Sequence, residues 1–120
     1  MLDRGLDIIH IAFSSALSGS YNNVCMVANE LKEDYPEAKI TVIDSLNVSL
    51  GETLLLLHAT DLKEKVCSYD EIVSDLEEYK HRINVQFTVD DLFHLQRGGR
   101  VSKATALVGS ALNLKPFLMV

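Results

Sequence analysis

The chain has 120 residues, of which 48% are hydrophobic and 23% are charged, and its 17 acidic and 11 basic side chains give a formal net charge of −6. This length is enough for one ordinary soluble domain at most. The hydrophobic fraction is too high for a disordered chain, and no apolar run approaches the ~18 residues that a membrane span requires. We therefore expect a folded protein without a membrane span.

The N-terminal residues and the cysteines indicate a reducing compartment. The segment from Met1 to Asp7 has an acidic residue within its first three positions and leads directly into an apolar run. It lacks the basic end and the cleavage site of a signal peptide. Cys25 and Cys67 lie far apart and outside any CxxC pattern, which predicts neither a disulfide nor a zinc site. We expect a cytoplasmic protein without a metal ion.

The first part of the chain has the pattern of a βαβ unit. A continuous apolar run over 7–13 predicts a parallel strand that is covered on both faces, with His10 as a core histidine inside it. Apolar residues then recur at helical spacing until Pro36 ends the pattern. A second strand is predicted over 39–43, so the two strands should pair in parallel.

Four further helices and two further strands complete the predicted order. A Leu-rich helix over 50–65 comes first, and Ser68 with Glu71 predicts a capping box at the start of the next helix. A strand over 84–89, a short helix from Asp90 to Gln96, a helix from Ser102 and a strand over 114–120 follow, and Gly98-Gly99 should end the short helix in a left-handed conformation.

These elements define an α/β fold class. We expect a parallel sheet with covering helices, which continues into part of a second α+β domain. The predicted division places an incomplete N-terminal α/β domain with a Ser-rich loop at 1–83, and the start of the second domain, with a Gly-Gly-Arg turn, at 84–120.

The Ser-rich segment after the first strand is the best candidate for a ligand site. In open α/β sheets, ligands bind beyond the carboxyl ends of the strands, where Ser14, Ser15 and Ser18 cluster. Gly19 permits a close backbone approach, and the free N–H groups of the next helix can hold a carboxylate or a phosphate. Alternatively, Ser18 or Ser20 only caps the helix. A nucleophilic serine is disfavoured, because the chain has no GxSxG elbow.

The last part of the chain carries a small excess of positive charge. Residues 95–120 hold four Lys and Arg side chains and no acidic residue. Arg100 follows the glycine pair in a predicted turn, where a guanidinium can form paired hydrogen bonds with an acidic partner or a phosphate. Alternatively, this segment is only a turn between two helices. Four cations without interleaved aromatic residues do not indicate nucleic-acid binding. Asp90-Asp91 is interpreted as charge compensation at a helix start rather than as a metal site.

Five segments in order resemble the DegV family of bacterial fatty-acid-binding proteins. They are SSALSGSY at 14–21, VIDS at 42–45 followed by SLGE at 49–52, FTVDDL at 87–92, LQRGGRVS at 95–102, and LNLKP at 112–116. The resemblance covers essentially the whole chain but only the middle of a family member, so we expect a chain truncated at both ends. This sequence departs from the family at Val66-Cys67, in a turn that often contains glycine.

The resemblance implies a two-domain protein that buries one long-chain fatty acid and presents it to a fatty acid kinase, which performs the phosphoryl transfer. It implies that Ser14 and Ser15 contribute hydroxyls to the fatty-acid carboxylate, that Ser18 and Gly19 support the loop, and that Arg100 docks to the kinase. The protein would then be a lipid-binding carrier subunit rather than an enzyme, with no catalytic residue, no metal and no cofactor besides the bound fatty acid.

Two other classes of function stay open from the residues alone. A small hydrolase or phosphotransferase acting on an anionic substrate would use the serine loop and Arg100, although no base is paired with a candidate nucleophile. A non-catalytic interaction module, or a truncated product that folds by associating with another chain, is the other alternative.

Overall fold

The computed structural model of the chain describes residues 1–112 and 117–119. Contacts divide the chain into two compact units, Met1–Val85 and Gln86–Val120. The first unit contains a parallel sheet with helices, and the second contains an antiparallel pair of strands with two short helices. The α/β class expected from the sequence is therefore confirmed.

A two-stranded parallel sheet forms the centre of the first unit. Strand β1 (Ile8–Ala12) pairs with β2 (Ile40–Asp44), and Ala12 lies opposite Asp44 at the carboxyl end. Helix α1 (Ser20–Asp34) connects the strands, and α2 (Leu50–Glu64) and α3 (Tyr69–Tyr79) follow β2. The parallel pairing predicted from the βαβ pattern is confirmed.

Helices α2 and α3 enclose the core against one face of this sheet. Ile9 and Ile11 belong to the same face of β1, since alternate strand residues point the same way, and both pack against the core. The Tyr69 hydroxyl, at the start of α3, lies 2.9 Å from the Ile8 carbonyl oxygen and 2.7 Å from Thr41 Oγ1, which ties this helix to both strands. The buried residues of the core are Ile43, Leu55, Ile72 and Leu76.

His10 is exposed, so its interpretation as a core histidine is wrong. It lies opposite Val42, on the sheet face that α1 packs against. Because α1 packs mainly on β2, where Ala28 and Ile40 are buried, the corresponding part of β1 is left open to solvent. The prediction that β1 is covered on both faces therefore fails at this residue.

Side-chain caps set the start of α3 and of the two helices of the second unit. The Ser68 hydroxyl accepts the N–H of Glu71 at 3.3 Å, and the Ser68 N–H donates to Glu71 Oε2 at 2.7 Å, which confirms the predicted capping box. In the second unit, Asp91 Oδ1 accepts the N–H of Phe93 at 2.8 Å, and the Ser102 hydroxyl accepts the N–H of Thr105 at 3.1 Å. Asp91 thus serves the helix start, as predicted.

The second unit begins with strand β3 (Gln86–Thr88), which pairs antiparallel with β4 (Phe117–Met119). Helices α4 (Leu92–Arg97) and α5 (Lys103–Ala111) lie between these strands in the chain and pack on each other. Gly99 has a φ of +77°, as predicted for the turn between them. Residues 113–116, which include most of the LNLKP segment, and residue 120 lie outside the described residues.

Candidate functional site

Two loops meet at the carboxyl end of the β1–β2 sheet. The serine loop, residues 14–19, follows β1, and the β2 turn, residues 45–49, follows β2. The N–H of Ser14 donates to the Asn47 carbonyl oxygen at 3.0 Å, and the N–H of Ser45 donates to the Ala12 carbonyl oxygen at 3.0 Å. These bonds continue the contact between the strands past their ends and hold the two loops side by side.

Asp44, the last residue of β2, is the anchor of the serine loop. The Ser15 hydroxyl donates to Asp44 Oδ2, and the Ser15 N–H donates to Asp44 Oδ1 at 3.1 Å. The N–H of Leu46 donates to the same Oδ1 at 3.1 Å. One carboxylate therefore accepts three hydrogen bonds, two of them from the serine loop.

The surroundings of Asp44 keep its carboxyl group ionised. Partial burial alone raises the pKa of Asp44, but the hydrogen bonds from Ser15 and Leu46, together with the positive charge of Lys80, outweigh it. The pKa of Asp44 is consequently lower than that of an ordinary aspartate. At neutral pH the site contains a fixed negative charge.

Ser14 differs from Ser15 in both burial and hydrogen bonding. It is 1% exposed, and its carbonyl oxygen accepts the N–H groups of Leu17 and Ser18, each at 3.1 Å. Within residues 1–112 and 117–119 its hydroxyl makes no hydrogen bond. Ser14 therefore offers a donor from a residue that is almost fully buried, whereas the proton of Ser15 is already shared with Asp44.

Ser18 and Gly19 shape the entry into α1. The Ser18 hydroxyl accepts the N–H of Ser20, the first helical residue, at 3.2 Å, and Gly19 is the N-cap. A Cβ atom on Gly19 would meet no atom within 4 Å, so the backbone here is open to approach. The hydrogen bond of Ser18 supports the interpretation that this residue helps to start the helix.

Asn47 and Lys80 belong to this site, although the sequence analysis did not select them. Asn47 is 1% exposed, and its Nδ2 donates to the Ser45 carbonyl oxygen at 2.8 Å and to the Lys80 carbonyl oxygen at 3.3 Å. Its Oδ1 is the one buried side-chain polar atom without a partner among the described residues. Asn47 thus joins the β2 turn to the short 3-10 helix Lys80–Arg82 that follows α3.

Lys80 is 9% exposed, and its Nζ lies 2.5 Å from Glu77 Oε2. A signal for this burial exists in the sequence, since Lys80 continues the four-residue spacing of Ile72 and Leu76 along the buried face of α3. Asn47 carries no comparable signal, because an asparagine in a polar segment normally indicates a turn.

Arg100 belongs to the second unit and is exposed. Its Nη1 donates to the Gly98 carbonyl oxygen at 2.5 Å, and its N–H donates to the Leu95 carbonyl oxygen at 2.9 Å. The side chain therefore takes part in closing the turn that presents it.

A metal-binding cluster and a membrane-spanning helix are both absent from the described part of the chain. No group of three or more His, Cys, Asp or Glu side chains within 1–112 and 117–119 is arranged to hold a metal ion. No helix in the same residues is long and apolar enough to cross a membrane.

Sequence comparison finds relatives along the whole chain. The DegV family model, described as "Uncharacterised protein, DegV family", matches residues 1–120. A DegV domain-containing protein of Clostridium perfringens is 46% identical over 117 residues, which are 98% of this chain and 40% of the relative. The chain thus spans about 40% of the length of the curated relatives it matches.

Comparison with solved structures gives the same result. A stearic-acid-binding protein from Eubacterium ventriosum superposes with a TM-score of 0.83 at 28% identity, over 98% of this chain and 40% of that protein. The Streptococcus pneumoniae Fatty Acid Kinase (Fak) B3 protein loaded with linoleic acid superposes with a TM-score of 0.82 at 30% identity, over 94% of this chain and 40% of that protein. Sequence and fold agree, and the chain belongs to the DegV family.

Proposed function

We propose that this protein binds a long-chain fatty acid, with the carboxyl group at Ser14 and Ser15, and presents it to a fatty acid kinase for acyl-phosphate formation. It acts as a carrier subunit in the cytoplasm, and the kinase performs the chemistry. The observation that carries the proposal is the hydroxyl of Ser14, a residue that is only 1% exposed and lies at the carboxyl edge of the sheet, with no hydrogen bond from this hydroxyl among the described residues.

The ligand class follows from what two hydroxyls can recognise. Such a site orients a small polar headgroup but supplies little affinity, because each net hydrogen bond contributes only about 1 kcal/mol. An acyl chain contributes ~0.8 kcal/mol for each CH₂ removed from water. A fatty acid has both a small polar headgroup for the hydroxyls and a long apolar chain for affinity. Similar solved proteins bind stearic acid and linoleic acid.

Two observations support presentation to a kinase: the positive charge of the segment from Leu95 onward and the similarity of the chain to a solved protein. The described part of the segment from Leu95 onward carries Arg97, Arg100 and Lys103 and no acidic residue, although the chain as a whole has a net charge of −6. Basic side chains of this kind can pair with acidic groups on a partner protein. The similar Streptococcus pneumoniae protein is named as the Fatty Acid Kinase (Fak) B3 protein.

Native mass spectrometry of the purified protein tests the lipid-binding part. The wild-type protein should carry a fatty acid, and a Ser14→Ala/Ser15→Ala variant should lose most of it, since about 1–3 kcal/mol of headgroup binding is removed for each hydroxyl. Ser74→Ala, at an exposed serine of α3, is the matched control and should leave occupancy unchanged. Equal occupancy in all three proteins would refute the assignment of the serine loop.

Acyl-phosphate formation with purified kinase and ATP tests the second part. The wild-type protein should support the reaction, and protein stripped of lipid should support it only after a fatty acid is added back. Hydrolysis of a generic ester by the protein alone would instead favour an enzyme.

A further inference from the structure

We propose that the Ser15–Asp44 pair receives a headgroup that donates a hydrogen bond, so that the protein takes up the neutral carboxylic acid in preference to the carboxylate. This inference rests on the proposed function and concerns the form in which the ligand binds.

The hydrogen-bond capacity of Ser15 is the first step. A serine hydroxyl has one proton and two acceptor lone pairs. In Ser15 that proton is donated to Asp44 Oδ2, while the Ser15 N–H is donated to Asp44 Oδ1 at 3.1 Å. Ser15 Oγ therefore has only acceptor capacity left for a ligand. A carboxylate, which is acceptor-only, would meet another acceptor there, whereas a carboxylic acid would donate its O–H.

The charge around Asp44 is the second step. The positive charge of Lys80 acts on Asp44, but its ammonium group is paired with Glu77 at 2.5 Å. These three groups together carry one net negative charge. Charges of like sign in a partly buried site repel more strongly than in water, so a second carboxylate next to Asp44 is disfavoured.

The other titratable groups near Asp44 do not alter this balance. From α1, Tyr21 interacts electrostatically with Asp44, and a hydrogen bond to Cys25 raises the pKa of Tyr21, which keeps the phenol neutral. From β1, His10 lies on the same sheet face, two residues before Ala12, which is opposite Asp44. A variant at His10 therefore serves as a control.

Ser14 completes the match to a neutral acid. Its hydroxyl is a donor that makes no hydrogen bond among the described residues, and the carbonyl oxygen of a carboxylic acid is an acceptor. The serine loop thus contains one donor, on Ser14, and one acceptor, on Ser15. A carboxylic acid presents the complementary pair on two separate oxygen atoms, whereas a fatty alcohol has a single oxygen for both roles.

The experiment compares decanoic acid with 1-decanol, two probes short enough to stay monomeric, by calorimetric titration of the protein between about pH 6 and about pH 8. The dissociation constant for decanoic acid should rise about tenfold per pH unit, as the neutral fraction of the free acid falls. The dissociation constant for 1-decanol should stay constant. The same pH dependence for both ligands, or none for the acid, would overturn the inference.

Asp44→Asn is the matched variant, because its Oδ1 can still accept the N–H groups of Ser15 and Leu46. The variant frees the Ser15 proton and removes the negative charge, so binding of decanoic acid at about pH 8 should strengthen at least about tenfold and lose its pH dependence. His10→Gln should keep the wild-type pH dependence. Should Asp44→Asn fail to fold, the acid–alcohol comparison on the wild-type protein decides alone.

The outcomes separate this inference from the function on which it rests. Binding of the acid with no pH dependence leaves fatty-acid binding standing and refutes the selection of the neutral form. Binding of neither probe refutes both.

Discussion

The N–H of Cys67 donates to the carbonyl oxygen of Leu62 at 3.1 Å and closes the end of α2. Together with the bond from the Val66 N–H to the Lys63 carbonyl oxygen at 3.0 Å, it forms a Schellman motif after the C-cap residue Lys65. In that motif the residue after the C-cap adopts the left-handed conformation, and here it is Val66, with a φ of +62°. A β-branched residue is poorly suited to this conformation.

Val66→Gly is therefore expected to stabilise the protein. The side chain is 89% exposed, so its removal costs little packing, while the left-handed conformation becomes free of strain. We expect the free energy of unfolding to rise by about 1 kcal/mol in urea denaturation. Val66→Ala is the control, because it removes the branch but keeps Cβ, and should give a smaller gain. A loss of stability with glycine would contradict this account of the turn.

Gly51→Ala is expected to destabilise the protein. A Cβ atom on this buried residue of α2 would overlap Val85 Cγ2 and lie 2.8 Å from Asn47 Oδ1. We expect a loss of about 1–3 kcal/mol, as for other overpacked sites, despite the better helix propensity of alanine. Adding Val85→Ala to the variant should recover part of the loss. Independent, additive effects of the two substitutions in urea denaturation would show that the overlap is not the cause.

The pKa of Asp44 makes stability depend on acid pH. Because the folded-state pKa is below the unfolded value of about 3.9, the stabilisation is complete above the unfolded value and is lost as the pH falls through the folded one. Asp44→Asn should thus lower the urea midpoint at neutral pH and flatten its decline in acid. Asp61→Asn, at an exposed aspartate of α2, is the control. Parallel pH profiles for wild type and Asp44→Asn would rule out this role of Asp44.

The sequence predicted the parts of the fold that depend on local patterns. The parallel strands, the capping box at Ser68 and the left-handed Gly99 each follow from periodicity or from the chemistry of one residue type, and each is confirmed. Burial that depends on how elements pack could not be predicted in this way. His10 lies in an apolar run yet is exposed, because α1 packs mainly on the neighbouring strand.

The same distinction applies to the candidate site. A Ser-rich segment after a strand marks the serine loop, because strand and loop are neighbours in the sequence. The bond between Ser15 and Asp44 joins residues 29 positions apart, and that between Asn47 and Lys80 joins residues 33 apart. The register of the strands and the packing of α3 create these bonds, so no local pattern reveals that Asp44 holds the loop or that Asn47 is buried.

Arg100→Ala is expected to leave bound fatty acid intact and to slow acyl-phosphate formation by the kinase about tenfold. The reason is that Arg100 lies in a segment without acidic residues, where a guanidinium can pair with an acidic surface of a partner protein. Added salt should reduce the rate of the wild-type protein in the same direction, because it screens exposed charges. Native mass spectrometry measures the occupancy, and the initial rate with kinase and ATP measures the coupling.

If Arg100 only stabilises its turn, the substitution should lower the melting temperature and leave the kinase reaction unchanged for each folded molecule. Because Nη1 donates to the Gly98 carbonyl oxygen at 2.5 Å, the substitution can loosen the turn and lower the melting temperature. Arg82→Ala is the matched control, since it removes an equal charge at an exposed arginine outside this segment, which is paired with Glu78. Reduced coupling with Arg100→Ala alone, at unchanged melting temperature, supports docking. A lower melting temperature with a normal rate per folded molecule assigns Arg100 to the turn and discards its role in docking.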